Sequence, residues 1–136
     1  MTARSKARKR ALDVLFESEV RGLPLGATLD DRLAAGEPPV NDYTVVVVRG
    51  IAEHRSHIDE LVTTYSQGWT LDRMPTVDRN TLRIGVFEIL YVDEVPDAVA
   101  VTEAMNLVRD LSTDESPSFV NGVLGNIVRN KPALSA

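Results

Sequence analysis

The chain has 136 residues, 43% apolar and 26% charged, enough for one domain or two small lobes sharing a core and too apolar for a disordered chain. It contains no cysteine, which excludes disulfides, thiolate zinc sites and a cysteine nucleophile. The net charge of −5 hides a polarity: Arg4, Lys6, Arg8, Lys9 and Arg10 make the first ten residues purely cationic, and the ten other basic residues face 20 acids, so residues 11–136 carry −10. A basic arm on an acidic body points to a polyanion partner for the arm and excludes a wholly basic, coat-like nucleic-acid binder.

The arm runs straight into a helical pattern, with Ala7, Ala11, Val14 and Leu15 on one face, which predicts a first helix from about Arg4 to Val20. Cations in the first turns of a helix oppose its dipole, and an anionic ligand offsets that cost. Leu25, Leu29 and Leu33 recur every four residues and predict a short second helix, followed by a Gly36-Glu37-Pro38-Pro39 linker. A third helix is expected from about Asn41 to Glu53, although the β-branched run Val45–Val48 also reads as a strand. Ser56 and Asp59 resemble a capping box for a fourth helix carrying Ile58, Leu61, Val62 and Tyr65 and ending at Gly68. Trp69 to Met74 reads as a connector of about one turn, with Trp69 as core or hinge packing rather than a stacking platform.

The fifth helix follows Pro75 and reaches about Tyr91. From Leu82 to Val92 its only charges are Arg83 and Glu88, so it is expected to be central and buried; a buried strand from Ile84 to Val92 is the competing reading. Val95-Pro96 breaks the chain before a sixth helix bearing Ala100, Val101, Ala104, Leu107, Val108 and Leu111. The stretch from Ser118 to Leu124 looks locally like a hairpin around Asn121-Gly122. Its periodicity favours a seventh helix: Phe119, Val120, Val123, Leu124, Ile127 and Val128 share half of a wheel, with Asn121, Gly122, Gly125, Asn126 and Arg129 opposite. Ser116 then fits as N-cap and Pro117 as the first helical residue. The sum is an all-α chain of about seven helices, which Gly68 divides into an N-terminal half (1–67) with the basic arm and a C-terminal half (68–136) within one compact unit.

No catalytic constellation is present. His54 and His57 are three apart but lack an HExxH pattern or an evident third ligand, so no metal or other cofactor is expected. The serines fall in caps and turns, and there is no nucleophile elbow, Walker sequence or dinucleotide fingerprint. No apolar run approaches the roughly 18 residues of a membrane span, and none follows the basic N-terminus as a secretory signal requires. A cytoplasmic protein without a membrane partner is expected.

Several segments, in order, resemble the NusB family of bacterial transcription antitermination factors, and in detail its actinobacterial members. They are Arg4 to Phe16 (RSKARKRALDVLF), Gly68 to Met74, Val77-Asp78-Arg79, Leu82-Arg83-Ile84, Glu88 with Leu90, Val95-Pro96 and Glu103-Ala104. The most specific is Asp114-Glu115-Ser116 leading into Phe119-Val120-Asn121-Gly122-Val123-Leu124. The resemblance covers essentially the whole chain. It implies two three-helix-bundle halves, binding to the single-stranded boxA element of ribosomal RNA transcripts, and a partner in the ribosomal protein that acts as NusE. With other Nus factors and RNA polymerase, that pair keeps ribosomal operons from terminating early, without catalysis.

Carried over by residue, the resemblance makes Arg4, Lys6, Arg8, Lys9 and Arg10 phosphate contacts and Phe119 a stacking ring. A core-edge role is the plain alternative for Phe119. Asn121 matches the RNA-binding motif, and packing is its plain alternative. Glu115 and Ser116 match a loop near the RNA and partner surfaces, and Asp78 and Arg79 a region near the NusE surface, with helix capping as the plain reading of that pair. The family includes monomers and homodimers, so self-association through an apolar helix face stays open. A NusB-like domain also occurs fused to ribosomal RNA methyltransferases, but no methyl-donor fold is recognisable here. A helical protein-interaction adaptor without sequence-specific RNA binding is the alternative from outside the RNA-binding class.

Overall fold

A computed structural model describes residues 2–134. The described residues form eight α-helices and no strand: α1 (Ala3–Val20), α2 (Thr28–Ala35), α3 (Asp42–Glu53), α4 (Arg55–Tyr65), α5 (Thr76–Tyr91), α6 (Asp97–Leu111), α7 (Ser116–Arg129) and α8 (Lys131–Leu134). A single 3-10 turn, Leu71–Arg73, lies between α4 and α5. The seven expected helices are all present, and the short α8 is additional. The ambiguous runs resolve by helical period: Val47 and Val48 are buried while Val46 is 50% exposed, a pattern that strand alternation does not produce. No described helix is long and apolar enough to cross a membrane.

The helix ends follow from local chemistry. The Thr2 side chain accepts a hydrogen bond from the Ser5 backbone N–H at 3.0 Å and caps α1. Asn41 caps α3 in the same way, accepting from the Tyr43 N–H at 2.8 Å. Pro75 and Pro96 precede α5 and α6, where a missing N–H costs nothing. Gly68 takes φ +93°, a left-handed conformation that turns the chain out of α4 without a Cβ clash.

Two sequence expectations are corrected. Ser56 does not open a capping box, because only His54 separates α3 from α4 and Ser56 already lies inside the first turn of α4. Asp59 instead accepts from Arg83 Nε at 2.8 Å and Nη2 at 3.1 Å, and from Arg55 Nε at 3.3 Å. Ser116 is not an N-cap either; it is the first residue of α7, preceded by Glu115, and its hydroxyl is engaged elsewhere.

The chain packs as two compact units, residues 1–54 and 55–136. In the first, α1 packs against α2 and α3, burying Ala11, Val14 and Leu15 with Val47 and Ile51. In the second, α5 packs against α4, α6 and α7. Because α4 rests on α5 and α7, the division falls between α3 and α4 rather than at Gly68. Every residue of α5 from Asn80 to Ile89 is buried, as its nearly uniform apolar surface predicts.

At Gly85 the α5 backbone lies directly against the Leu124 side chain of α7. A Cβ there would lie 2.6 Å from Leu124 Cδ1 and 3.1 Å from its Cδ2. Leu124 is fully buried, so its methyls have no space to retreat into. Gly85→Ala is therefore expected to destabilise the protein by about 1–3 kcal/mol, the usual cost of overpacking. Urea unfolding measures this, and an unchanged midpoint would contradict the tight α5–α7 approach.

Candidate nucleic-acid interface

The basic arm is the first two turns of α1, and its five cations are not equivalent. Arg4 and Arg8 are one helical turn apart, and their guanidinium carbons lie 4.3 and 5.7 Å from the centre of the Tyr43 ring. Tyr43 is buried in the first turn of α3. This cation–π packing compensates for placing positive charge at a helix start, where the first turn holds no acid. Arg8 is only 3% exposed, so its guanidinium is part of the packing rather than an open phosphate contact. The sequence held a signal for this: Arg8 lies four and seven residues before the buried Leu12 and Leu15. Lys6 and Lys9 are exposed. Arg10 is half-buried, and its buried Nε makes no hydrogen bond among the described residues.

A second feature lies within residues 55–136. Trp69 is 52% exposed, contrary to its expected place in core or hinge packing. Its ring lies beside Phe119, with centroids 5.7 Å apart and planes at 42°. Phe119 is half-buried, as its place at the border of two helix faces predicts. The two rings, with Tyr65, Gly122 and Asn126, line a groove of about 290 Å³. Ser66 fixes the Trp69 backbone: its hydroxyl donates to the Trp69 carbonyl at 2.8 Å, and its own carbonyl accepts from the Trp69 N–H at 3.3 Å. A lone aromatic between polar Gln67 and Thr70, directly after a chain-turning glycine, was the available sequence signal for Trp69. Gly122 is exposed, and a Cβ there would meet nothing within 4 Å, so α7 offers a low wall to the groove. Asn121 is exposed on α7 but does not line the groove.

Of the four residues expected at a partner surface, only Glu115 is exposed. Asp78 is 3% exposed; its carboxylate accepts from Ser112 Oγ at 2.6 Å and Ser116 Oγ at 2.9 Å. Ser116 is itself buried, and its Oγ accepts from the Thr113 N–H at 3.2 Å. This network ties the start of α5 to the α6–α7 turn, three residues before Phe119. Arg79 is half-buried and donates to the Leu71 carbonyl at 2.6 Å and the Met74 carbonyl at 3.3 Å, holding the 3-10 turn against α5. In that turn a hydrogen bond from Thr70 holds the Asp72 carboxyl below its ordinary range.

His57 Nδ1 lies 2.9 Å from the Tyr91 hydroxyl, whose acidity burial weakens. His54 lies beside Glu53. Among the described residues no group of three or more His, Asp or Glu side chains is placed to hold a metal ion.

Comparison with known proteins covers the whole of this arrangement. A family model described as the NusB family matches residues 5–129. The chain is 69% identical, over 135 residues, to a transcription antitermination protein NusB from a Nocardioides species, covering 99% of this chain and 100% of that one. It is 56% identical over 136 residues to the NusB of Kineococcus radiotolerans, with both chains covered completely. Among solved structures it resembles T. maritima NusB with a TM-score of 0.82 at 31% identity, covering 94% of this chain and 92% of that one. It also resembles a chain from a complex of antitermination factors NusB and NusE with double-stranded RNA, with a TM-score of 0.79 at 26% identity, covering 93% and 96%.

The Asp78 network sets where α7 begins. Asp78→Ala removes two charge-assisted hydrogen bonds and is expected to cost about 2–3 kcal/mol. It should also speed amide exchange in residues 113–119. Unaltered exchange there would mean the network does not hold the turn.

Proposed function

This chain belongs to the NusB family, and on that premise we propose that it is a transcription antitermination factor binding the boxA element of ribosomal RNA transcripts together with the ribosomal protein acting as NusE. The observation that carries the reading is its likeness, along nearly its whole length, to a chain solved with NusE and RNA. In this role the protein works in the cytoplasm within the complex of Nus factors and RNA polymerase, as a binding component without catalysis or cofactor.

The residues divide the work. Lys6 and Lys9, exposed on the first turns of α1, contact phosphates, and Arg10 joins them at the edge of the arm. Arg4 and Arg8 contribute field and hold the arm on Tyr43. Phe119 stacks on a base, and Asn121 contacts the RNA from the exposed face of α7. Glu115 is the exposed candidate for a protein contact; Asp78, Arg79 and Ser116 act by shaping the surface around it. Self-association has its own candidate surface in Phe16 and Val20 of α1, which are 41% and 65% exposed.

Fluorescence anisotropy with labelled boxA RNA and a scrambled control, with and without NusE, tests the reading at several salt concentrations. The expected result is preference for boxA that sharpens when NusE is present. Replacing Lys6 and Lys9 together by Gln should flatten the log–log salt dependence by about 1.4, the share of two phosphate contacts on a single strand. Equal, weak binding to both RNAs would leave a helical protein-interaction adaptor instead.

A further inference from the structure

The Trp69–Phe119 groove has features that a basic arm does not supply. Its two rings are inclined to each other, and Trp69 keeps half its surface open, so an aromatic face remains for a planar guest. Its lining holds no acidic side chain, in a chain whose net charge is −5. At about 290 Å³ it lies near the lower bound of about 300 Å³ for small-molecule clefts, a size for one flat group rather than a folded partner. Asn126 stands in the lining, and its side-chain oxygen accepts a hydrogen bond from the exposed Arg129 one turn further along α7. That bond leaves the amide NH2 as a donor for an incoming carbonyl or phosphate oxygen, with a cation beside it.

We propose that Trp69 and Phe119 together form a slot for one unpaired nucleobase of the bound RNA, with Asn126 and Arg129 gripping its edge or the adjoining phosphate. The inference rests on the RNA-binding reading and adds a second ring and a polar grip to the single stacking phenylalanine. An unpaired base supplies the flat π-face, the edge acceptors and the neighbouring negative charge that this lining complements.

Trp69 is the only tryptophan in the chain, so its emission reports on the slot directly. The full chain is titrated with a single-stranded boxA oligonucleotide while label anisotropy and Trp69 emission are followed together. Emission should quench along the same binding curve as the anisotropy, and an abasic substitution at one position of the RNA should abolish the quench while binding persists. Trp69→Ala should weaken binding about tenfold, within the range for losing one base–aromatic stack, and Trp69→Phe should restore most of it. Thermal melts of both variants should match the parent, since Trp69 is half exposed. Binding with unchanged emission, or full-strength binding by Trp69→Ala, overturns the slot and leaves the RNA reading intact. Quenching by NusE but not by RNA overturns it in favour of a protein contact. No anisotropy change with any RNA removes the slot and the antitermination reading together.

Discussion

Arg83 lies in the middle of α5 with 2% of its surface exposed, and two of its nitrogens reach the carboxylate of Asp59 on α4. A buried guanidinium is tolerable only when fully answered, and Asn80 Oδ1 takes a further bond at 2.9 Å. Asp78, nearer the start of the same helix, is a buried carboxylate answered by Ser112 and Ser116 at the other flank. The first tether fixes α4 and the second fixes α7. The groove has one wall after the end of α4, where Trp69 stands, and the other on α7, where Phe119 stands. The placement of both rings thus depends on charges that α5 keeps out of water.

The same logic separates holding from binding in the arm. Tyr43 engages Arg4 and Arg8, which turns two charges at the unfavourable end of a helix into packing. Lys6 and Lys9 stay in solvent. A solvated ammonium on a flexible stem suits phosphates whose positions vary, whereas a stacked arginine suits one fixed geometry. A net-acidic body carrying this arm lets the chain bind a polyanion at one place rather than coat it.

Helix positions were legible in the sequence because the apolar period is strong, and it settled even Val45–Val48 and the hairpin-like stretch around Asn121-Gly122 correctly. The roles of polar residues were less legible. Asp59 meets Arg83 and Ser116 meets Asp78 across 24 and 38 residues, and no local pattern encodes such pairs. Each has a short-range look-alike, a capping box and an N-cap, that competes for the same residue types. Family resemblance marks Asp78, Arg79 and Ser116 as positions, and their hydrogen bonds show that all three hold the frame. Trp69 escaped because a single large aromatic is usually core, a prior that outweighed the polar neighbours and the glycine around it.

The central claim is that the exposed arm lysines and the aromatic groove contact the same RNA. Photo-crosslinking of boxA RNA carrying 4-thiouridine at successive positions, in the complex with NusE, followed by mass spectrometry of the peptides, tests it most directly. The account predicts adducts on peptides containing Lys6 or Lys9 for one set of RNA positions and on Trp69 or Phe119 for another. Adducts confined to other surfaces, with both regions unmodified, would contradict it.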